Sequence, residues 1–161
     1  MRILGIDPGL ATIGLGLIEA SSSQTMEAIE WLTIETPSGL AFPDRLLEIQ
    51  KDLSAFLDEA KPELCVIERL FFETNVKTAL DVAHARGVIV VTVAARGIPI
   101  IDPTPLQLKL AITGDGKADK LQMQTMIKHL FKLTEIPKPA DAADALALAA
   151  YGALRSAMPV S

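Results

Sequence analysis

The chain is poor in the residues that several functional classes need. Its 161 residues include one cysteine and two histidines, which excludes an internal disulfide framework and any Cys-x-x-Cys or Cys/His zinc site. No long hydrophobic run is present: mostly apolar stretches such as Val88 to Ala95 fall far short of the ~20 residues that span a bilayer. No secretory leader is expected at Met1 to Asp7 either, since Asp7 and Pro8 cut its apolar run short. Repeats, low-complexity segments and long linkers are absent. What is there points to a globular protein. Half the residues are apolar and 22% are charged, a composition that excludes a disordered tail protein. The length suits one domain, expected over 1–156 with a short tail at 157–161, and a core that needs no covalent staple. A reducing, cytoplasmic setting away from membranes is the expectation.

The net charge of −5 is unevenly spread: residues 1–68 balance to −8, while residues 69–138 balance to +4. An acidic total argues against a polyanion partner, but the local field decides binding, and the middle of the chain is basic.

The pattern of elements predicts an α/β fold. Residues 2–7 read as a buried strand that turns at Pro8-Gly9 into a second, 12–19, with a third at 26–35. Leu46, Ile49, Leu53, Phe56 and Leu57 recur at helical spacing, which predicts a helix over 40–60 stopped by Pro62. Residues 64–68 form a compact strand ending on an acid. Residues 75–96 read as a helix despite the β-branched run Val88 to Val93, because Pro99 to Asp102 makes the better strand and keeps strand–helix–strand order. A short helix follows Pro105, 113–117 is a loop, and helices cover 118–132 and the stretch from about Pro139. The sum is a mixed sheet flanked by helices.

Acids end the key elements. Asp7 closes the first strand and Glu68 the fourth; if the two strands neighbour each other in the sheet, both carboxylates leave the same edge, where ligands of open α/β sheets bind. Asp141 and Asp144, three apart on a helix, share a face, and the surrounding alanines let that helix approach the sheet closely. Taken singly, Asp7-Pro8-Gly9 reads as a turn, and Asp141 and Asp144 read as charges favoured by a helix N-terminus. Converging, they would repel: two unit charges ~4 Å apart cost ~1 kcal/mol in water and ~4 kcal/mol at an effective dielectric of 20. Such a cluster calls for protonation, solvation or a metal. Oxygen-only ligands favour Mg²⁺ or Mn²⁺, and a pair of such ions can activate water and stabilise the leaving oxygen of a phosphodiester.

Gly5-Ile6-Asp7-Pro8-Gly9, Val66-Ile67-Glu68 followed by Leu70-Phe71-Phe72, Ala85-Arg86-Gly87-Val88 and Ala140-Asp141-Ala142-Ala143-Asp144-Ala145 together resemble the RuvC family of crossover-junction (Holliday-junction) endodeoxyribonucleases. The resemblance runs in order from residue 1 to about 155. It implies an RNase H-like fold with a mixed five-stranded sheet, a homodimer, and Mg²⁺-dependent nicking of two like-polarity strands of a four-way DNA junction, giving 5′-phosphate and 3′-hydroxyl ends during recombination and repair. It makes Asp7, Glu68, Asp141 and Asp144 the metal-binding tetrad, with two ions per site, and implies a branch-migration complex, RuvA and RuvB, as partner.

Phe71 and Phe72 hold two of the five phenylalanines. They read either as a loop anchored into the core or as a wedge that unstacks bases; the resemblance favours the wedge, most directly for Phe71. Lysines on helix faces are ordinarily just solvated, but the resemblance sets Lys109 and Lys120 near the active site, where Lys120 serves catalysis by countering transition-state charge. Lys77, Arg86 and Lys117 are looser candidates for DNA-backbone contacts, and Asp115 and Asp119 weaken the positive field around them. Gly114 to Lys117 lacks the first glycine and the Ser/Thr of a phosphate loop, and Gly14-Leu15-Gly16 lacks the third glycine of a dinucleotide fingerprint. Cys65 and Trp31 read as packing, His84 and His129 as ordinary surface or packing residues. Competing readings are a YqgF-type RNase H-like nuclease acting on RNA, an actin-like nucleotide-binding module, for which 161 residues leave room for one lobe, and a non-catalytic junction-binding protein.

Overall fold

The computed structural model describes residues 1–70 and 76–156, with side chains at all of these except 76 and 77. Among the described residues, five strands, β1 (Arg2–Asp7), β2 (Thr12–Ser22), β3 (Thr25–Glu35), β4 (Leu64–Ile67) and β5 (Ile100–Ile101), and five helices, α1 (Phe42–Ala60), α2 (Val76–Ala94), α3 (Pro105–Thr113), α4 (Lys120–Leu130) and α5 (Ala140–Ser156), follow in the order β1-β2-β3-α1-β4-α2-β5-α3-α4-α5. The strands form one sheet in the order β3-β2-β1-β4-β5. The leading hairpins are antiparallel, whereas β4 runs parallel to both β1 and β5. The expected mixed α/β sheet is therefore present.

Element ends differ modestly from expectation. β2 continues three residues past Glu19, because pairing with β3 carries Ala20 to Ser22 through an irregular register despite their weak strand propensity. β4 stops at Ile67, one residue short of its acid, and β5 is only two residues long. The β-branched stretch of α2 is helical as expected: Ile89 and Val93, one turn apart, are fully buried. Lys61, in the left-handed region at φ 47°, caps α1 and passes the chain to Pro62.

The two faces of the sheet follow from the period-2 alternation of its strands. Leu4, Ile6, Ile13, Leu15, Leu17, Cys65 and Ile67 pack against Ile49, Leu53 and Leu57 of α1 and Ala85, Ile89 and Val93 of α2. Ile3, Ile18 and Val66 face the other way, onto α5 and the α3–α4 pair behind it, through Leu108, Ile112, Ile127 and Phe131. Helix α5 lies between sheet and helices and is buried at every position from Ala145 to Ala153, as expected for a helix apolar on all sides. Burial pushes the Cys65 thiol up to about 12, so it is an inert core residue. Trp31 packs half-buried against the α5 side, while His84 and His129 are exposed. Among the described residues, no helix is long and apolar enough to cross a membrane.

Candidate active site

The alternation that builds the core also aims the acids. Ile3 and Gly5 face α5, so Asp7, two further on, faces the same way at the end of β1. In the parallel register Gly5 pairs with Val66 and Ile6 with Ile67, which brings Glu68 alongside Asp7 on the α5 side. The third contribution comes from α5, whose first turn carries Asp141 and whose next carries Asp144.

Glycines let α5 come this near. Gly5 pairs with Gly16 and Asp7 with Gly14 across β1 and β2, a bare patch on the sheet. A Cβ built on Gly16 would lie 2.6 Å from the Leu146 amide nitrogen, and one on Gly5 would lie 2.6 Å from that of Ala149. One on Gly14 would overlap the Asp141 carbonyl oxygen. No real side chain fits there, so the helix backbone rests on the strand backbone. The alanines of α5 are half of this contact; Gly5, Gly14 and Gly16 are the half that sequence reading missed. Their signal was the period-2 spacing of Gly14 and Gly16, which sets both on one face.

Asp7, Asp141 and Asp144 each present a carboxylate oxygen, all within 4.8 Å of one another. Burial, then the charges of Asp144, Glu68 and Asp141, push the Asp7 carboxyl up to about 8 against the opposing pull of Lys120. Glu68 is raised by burial and by Asp144, and Lys109 counters this. Burial also raises Asp144, against the nearby Lys120 ammonium. Glu68 stands outside the close triad but lines the same cleft of about 230 Å³ with Asp7, Asp144, Lys109 and Lys120. Three part-buried acids with raised affinity for protons, Asp7, Glu68 and Asp144, and Asp141 beside them offer hard-oxygen donors only, a set that a divalent cation fits, since it would cancel the repulsion.

The basic candidates separate. Lys120, the first residue of α4, holds Asp144 at 3.4 Å and remains 60% exposed. Lys109 of α3 lines the cleft. Lys117, on the exposed turn before α4, does not line it. Arg86 is engaged within the protein: its Nε donates to the Glu68 carbonyl at 2.9 Å, and its guanidinium lies 3.5 Å from Asp102. Asp115 and Asp119 have backbone duties. Asp115 accepts from the Lys117 amide, and Asp119 with Gln122 forms a reciprocal cap that starts α4 and so fixes Lys120. Phe71 and Phe72 lie outside the described residues, as do the side chain of Lys77 on α2 and the tail 157–161.

A carboxylate cluster at the edge of a 3-2-1-4-5 sheet, closed by a helix that brings two of the acids, defines the RNase H-like class. Within it, the family model described as crossover junction endodeoxyribonuclease RuvC matches residues 3–151, and the chain belongs to that family. The enzyme of that name from Syntrophomonas wolfei is 48% identical over 149 residues, covering 92% of this chain and 86% of its own. That from Rhodococcus jostii is 43% identical over 158 residues, 98% of this chain and 84% of its own. Among solved structures, Thermus thermophilus RuvC in complex with a Holliday junction substrate superposes with a TM-score of 0.92 at 29% identity, covering 98% of this chain and 95% of that one. The yeast mitochondrial Holliday junction resolvase, 16% identical with a TM-score of 0.67, shares the fold. Family membership decides against the YqgF-type and actin-like readings.

Proposed function

We propose that this protein resolves four-way DNA junctions by paired, symmetric nicks, with Asp7, Glu68, Asp141 and Asp144 holding two divalent cations, Mg²⁺ or Mn²⁺. The observation that carries the reading is the convergence of Asp7, Asp141 and Asp144 oxygens within 4.8 Å at a cleft that also holds Lys109 and Lys120. When bound, the cations supply Lewis-acid activation of water and neutralise charge at the departing 3′ oxygen.

The chain's own residues do the rest. Three of the carboxylates, Asp7 at the end of β1 and Asp141 and Asp144 on α5, sit on rigid elements and orient whatever they hold with little reorganisation. Lys120 and Lys109 face a phosphate entering the cleft and counter the negative charge that grows as the phosphorus is attacked. Their ammonium groups also limit the repulsion among the acids in the absence of DNA. Phe71, three residues after Glu68, serves as the wedge that opens the junction near the scissile bond, with Phe72 beside it. Lys77 and Lys117 serve phosphates farther out.

A homodimer suits the substrate, because a two-fold protein presents two such sites to a junction of matching symmetry. Leu80 and Val91, eleven residues apart on one face of α2 and 54% and 60% exposed, offer apolar surface for a second copy. The family relation adds the branch-migration proteins RuvA and RuvB as partners and the bacterial cytoplasm as the setting, with a single nuclease domain over 1–156. The test is a labelled four-way junction incubated with and without Mg²⁺ or Mn²⁺. Cation-dependent symmetric nicks with 5′-phosphate ends are expected; an uncut junction, or cutting unaffected by chelation, overturns the reading.

A further inference from the structure

The acid of β4 stands beyond the sheet's own support. The last β1–β4 pair is Ile6 with Ile67, so the backbone leaves the ladder one residue before the Glu68 side chain. That side chain faces Asp144, which repels it, in a part-buried setting. A carboxylate so placed withdraws toward water unless its backbone is held. The backbone is held, from the other side. Arg86 Nε donates to the Glu68 carbonyl at 2.9 Å. Arg86 is rooted by its neighbours Ala85 and Ile89 on α2, both fully buried. Its own side chain is 23% exposed, and its far end lies 3.5 Å from Asp102. Asp102 follows β5 and also takes Arg69 Nε at 3.2 Å and Nη2 at 3.0 Å. The Arg69 amide donates to Pro103 at 2.9 Å. Residues 68 and 69 are thus tied to α2 and to the end of β5, with Asp102 as the shared anion.

We propose that Arg86 is a positioning residue for Glu68: it fixes the backbone that aims this carboxylate into the acidic cleft, with Asp102 locking the guanidinium, and it does not contact the DNA backbone. The proposal rests on the metal-dependent reading above and adds to it a support for the one acid that the sheet leaves unsupported. It reverses the role that sequence reading gave Arg86, because a guanidinium spent on a carbonyl and a carboxylate is not offered to phosphate.

Arg86→Met keeps the length and removes the donors. Two measurements separate the roles. Mn²⁺ uptake by the DNA-free protein, followed by the loss of the free-ion electron paramagnetic resonance signal, should weaken about 10- to 100-fold, the usual effect of removing an outer support of a ligand. Junction binding in Ca²⁺, measured against salt, should keep the parent's slope. In a Glu68→Gln background the same change should weaken Mn²⁺ uptake no further, since the group being aimed is already lost. If Arg86 reaches phosphate, the salt slope falls by about 0.9 with Mn²⁺ uptake unchanged, and the proposal is overturned. Should Arg86→Met fail to fold, Asp102→Asn serves instead, at a carboxylate that is 41% exposed. Weaker Mn²⁺ uptake is expected there too, and unchanged uptake overturns the role. Normal uptake by the parent with unchanged uptake by the variants refutes the positioning role alone; a parent that takes up no Mn²⁺ removes the metal reading with it.

Discussion

Lys120 Nζ lies 3.4 Å from Asp144 Oδ2, at the rim of a cleft whose other charged side chains, among the described residues, are Asp7, Glu68, Asp119 and Lys109. The ammonium thus sits among groups that would otherwise be cancelled by cations, and it pulls the Asp7 and Asp144 carboxyls back toward ionisation. These two services predict opposite responses. Lys120→Ala removes a charge from the transition state, so single-turnover cleavage at saturating Mg²⁺ should fall by about 10²-fold, the scale of one lost electrostatic donor. It also removes a competitor for the acids, so Mn²⁺ uptake should not weaken. A cleavage rate equal to the parent's takes Lys120 out of the site.

Asp7 makes the metal-free protein sensitive to pH. Burial and the charges of Asp144, Glu68 and Asp141 raise its folded pKa from 3.8 to about 8. A carboxyl raised on folding binds its proton more tightly in the native state. Its contribution is therefore fully present below the unfolded pKa and is lost as pH climbs through about 8. The raised Glu68 and Asp144 act in the same direction. In the presence of a chelator, the protein should melt lower at pH 8.5 than at pH 5.5. Asp7→Asn should flatten that dependence and raise the midpoint at the higher pH, by roughly 2–4 °C for each kcal/mol recovered. The same variant should bind a four-way junction and not cut it. Calorimetry across pH tests the first part, and full cleavage by Asp7→Asn ends the metal-centre reading.

Much of the site was legible before the structure because it obeys short-range rules. Asp7 and Glu68 each end an apolar run, Asp141 and Asp144 are three apart, and both facts become geometry once strand and helix periods are assigned. Residues whose partners are remote in sequence were less legible. Arg86 reads as a solvated or phosphate-binding cation until the Glu68 carbonyl and Asp102, at opposite sequence distances, are seen beside it. Asp119 reads as a stray charge among lysines, although Gln122 three residues on marks a helix start. Gly14 and Gly16 fit no nucleotide fingerprint; their purpose is to lack a side chain where α5 arrives.

Phe71 distinguishes a wedge from a core anchor. A wedge acts after the junction is bound, when bases near the cut must separate, so its removal costs more in rate than in affinity. Phe71→Ala should bind a four-way junction within a few-fold of the parent and cut it at least ten-fold more slowly. A junction with unpaired bases at its centre should restore much of the rate. An unchanged rate assigns Phe71 to packing.

The contact of α5 with the sheet joins stability to chemistry at Gly14. Its pair across the ladder is Asp7, and the backbone above it is that of Asp141. Alanine at 14 would overlap the Asp141 carbonyl oxygen, and a backbone atom in a packed helix cannot step aside as a flexible side chain can. Helix α5 must therefore lift at its first turn, which moves Asp141 and Asp144 away from Asp7. Overpacking of this kind costs about 1–3 kcal/mol, or a midpoint lower by roughly 2–12 °C in a domain of this size. Gly14→Ala should show that loss together with weakened Mn²⁺ uptake. Gly16→Ala, deeper under the helix at Leu146, should cost at least as much stability. Gly39→Ala, with open space around it and no left-handed backbone, should leave both properties unchanged. Should Gly14→Ala melt with the parent and take up Mn²⁺ as tightly, the helix is not seated on the sheet as described, and the convergence of the acids needs another cause.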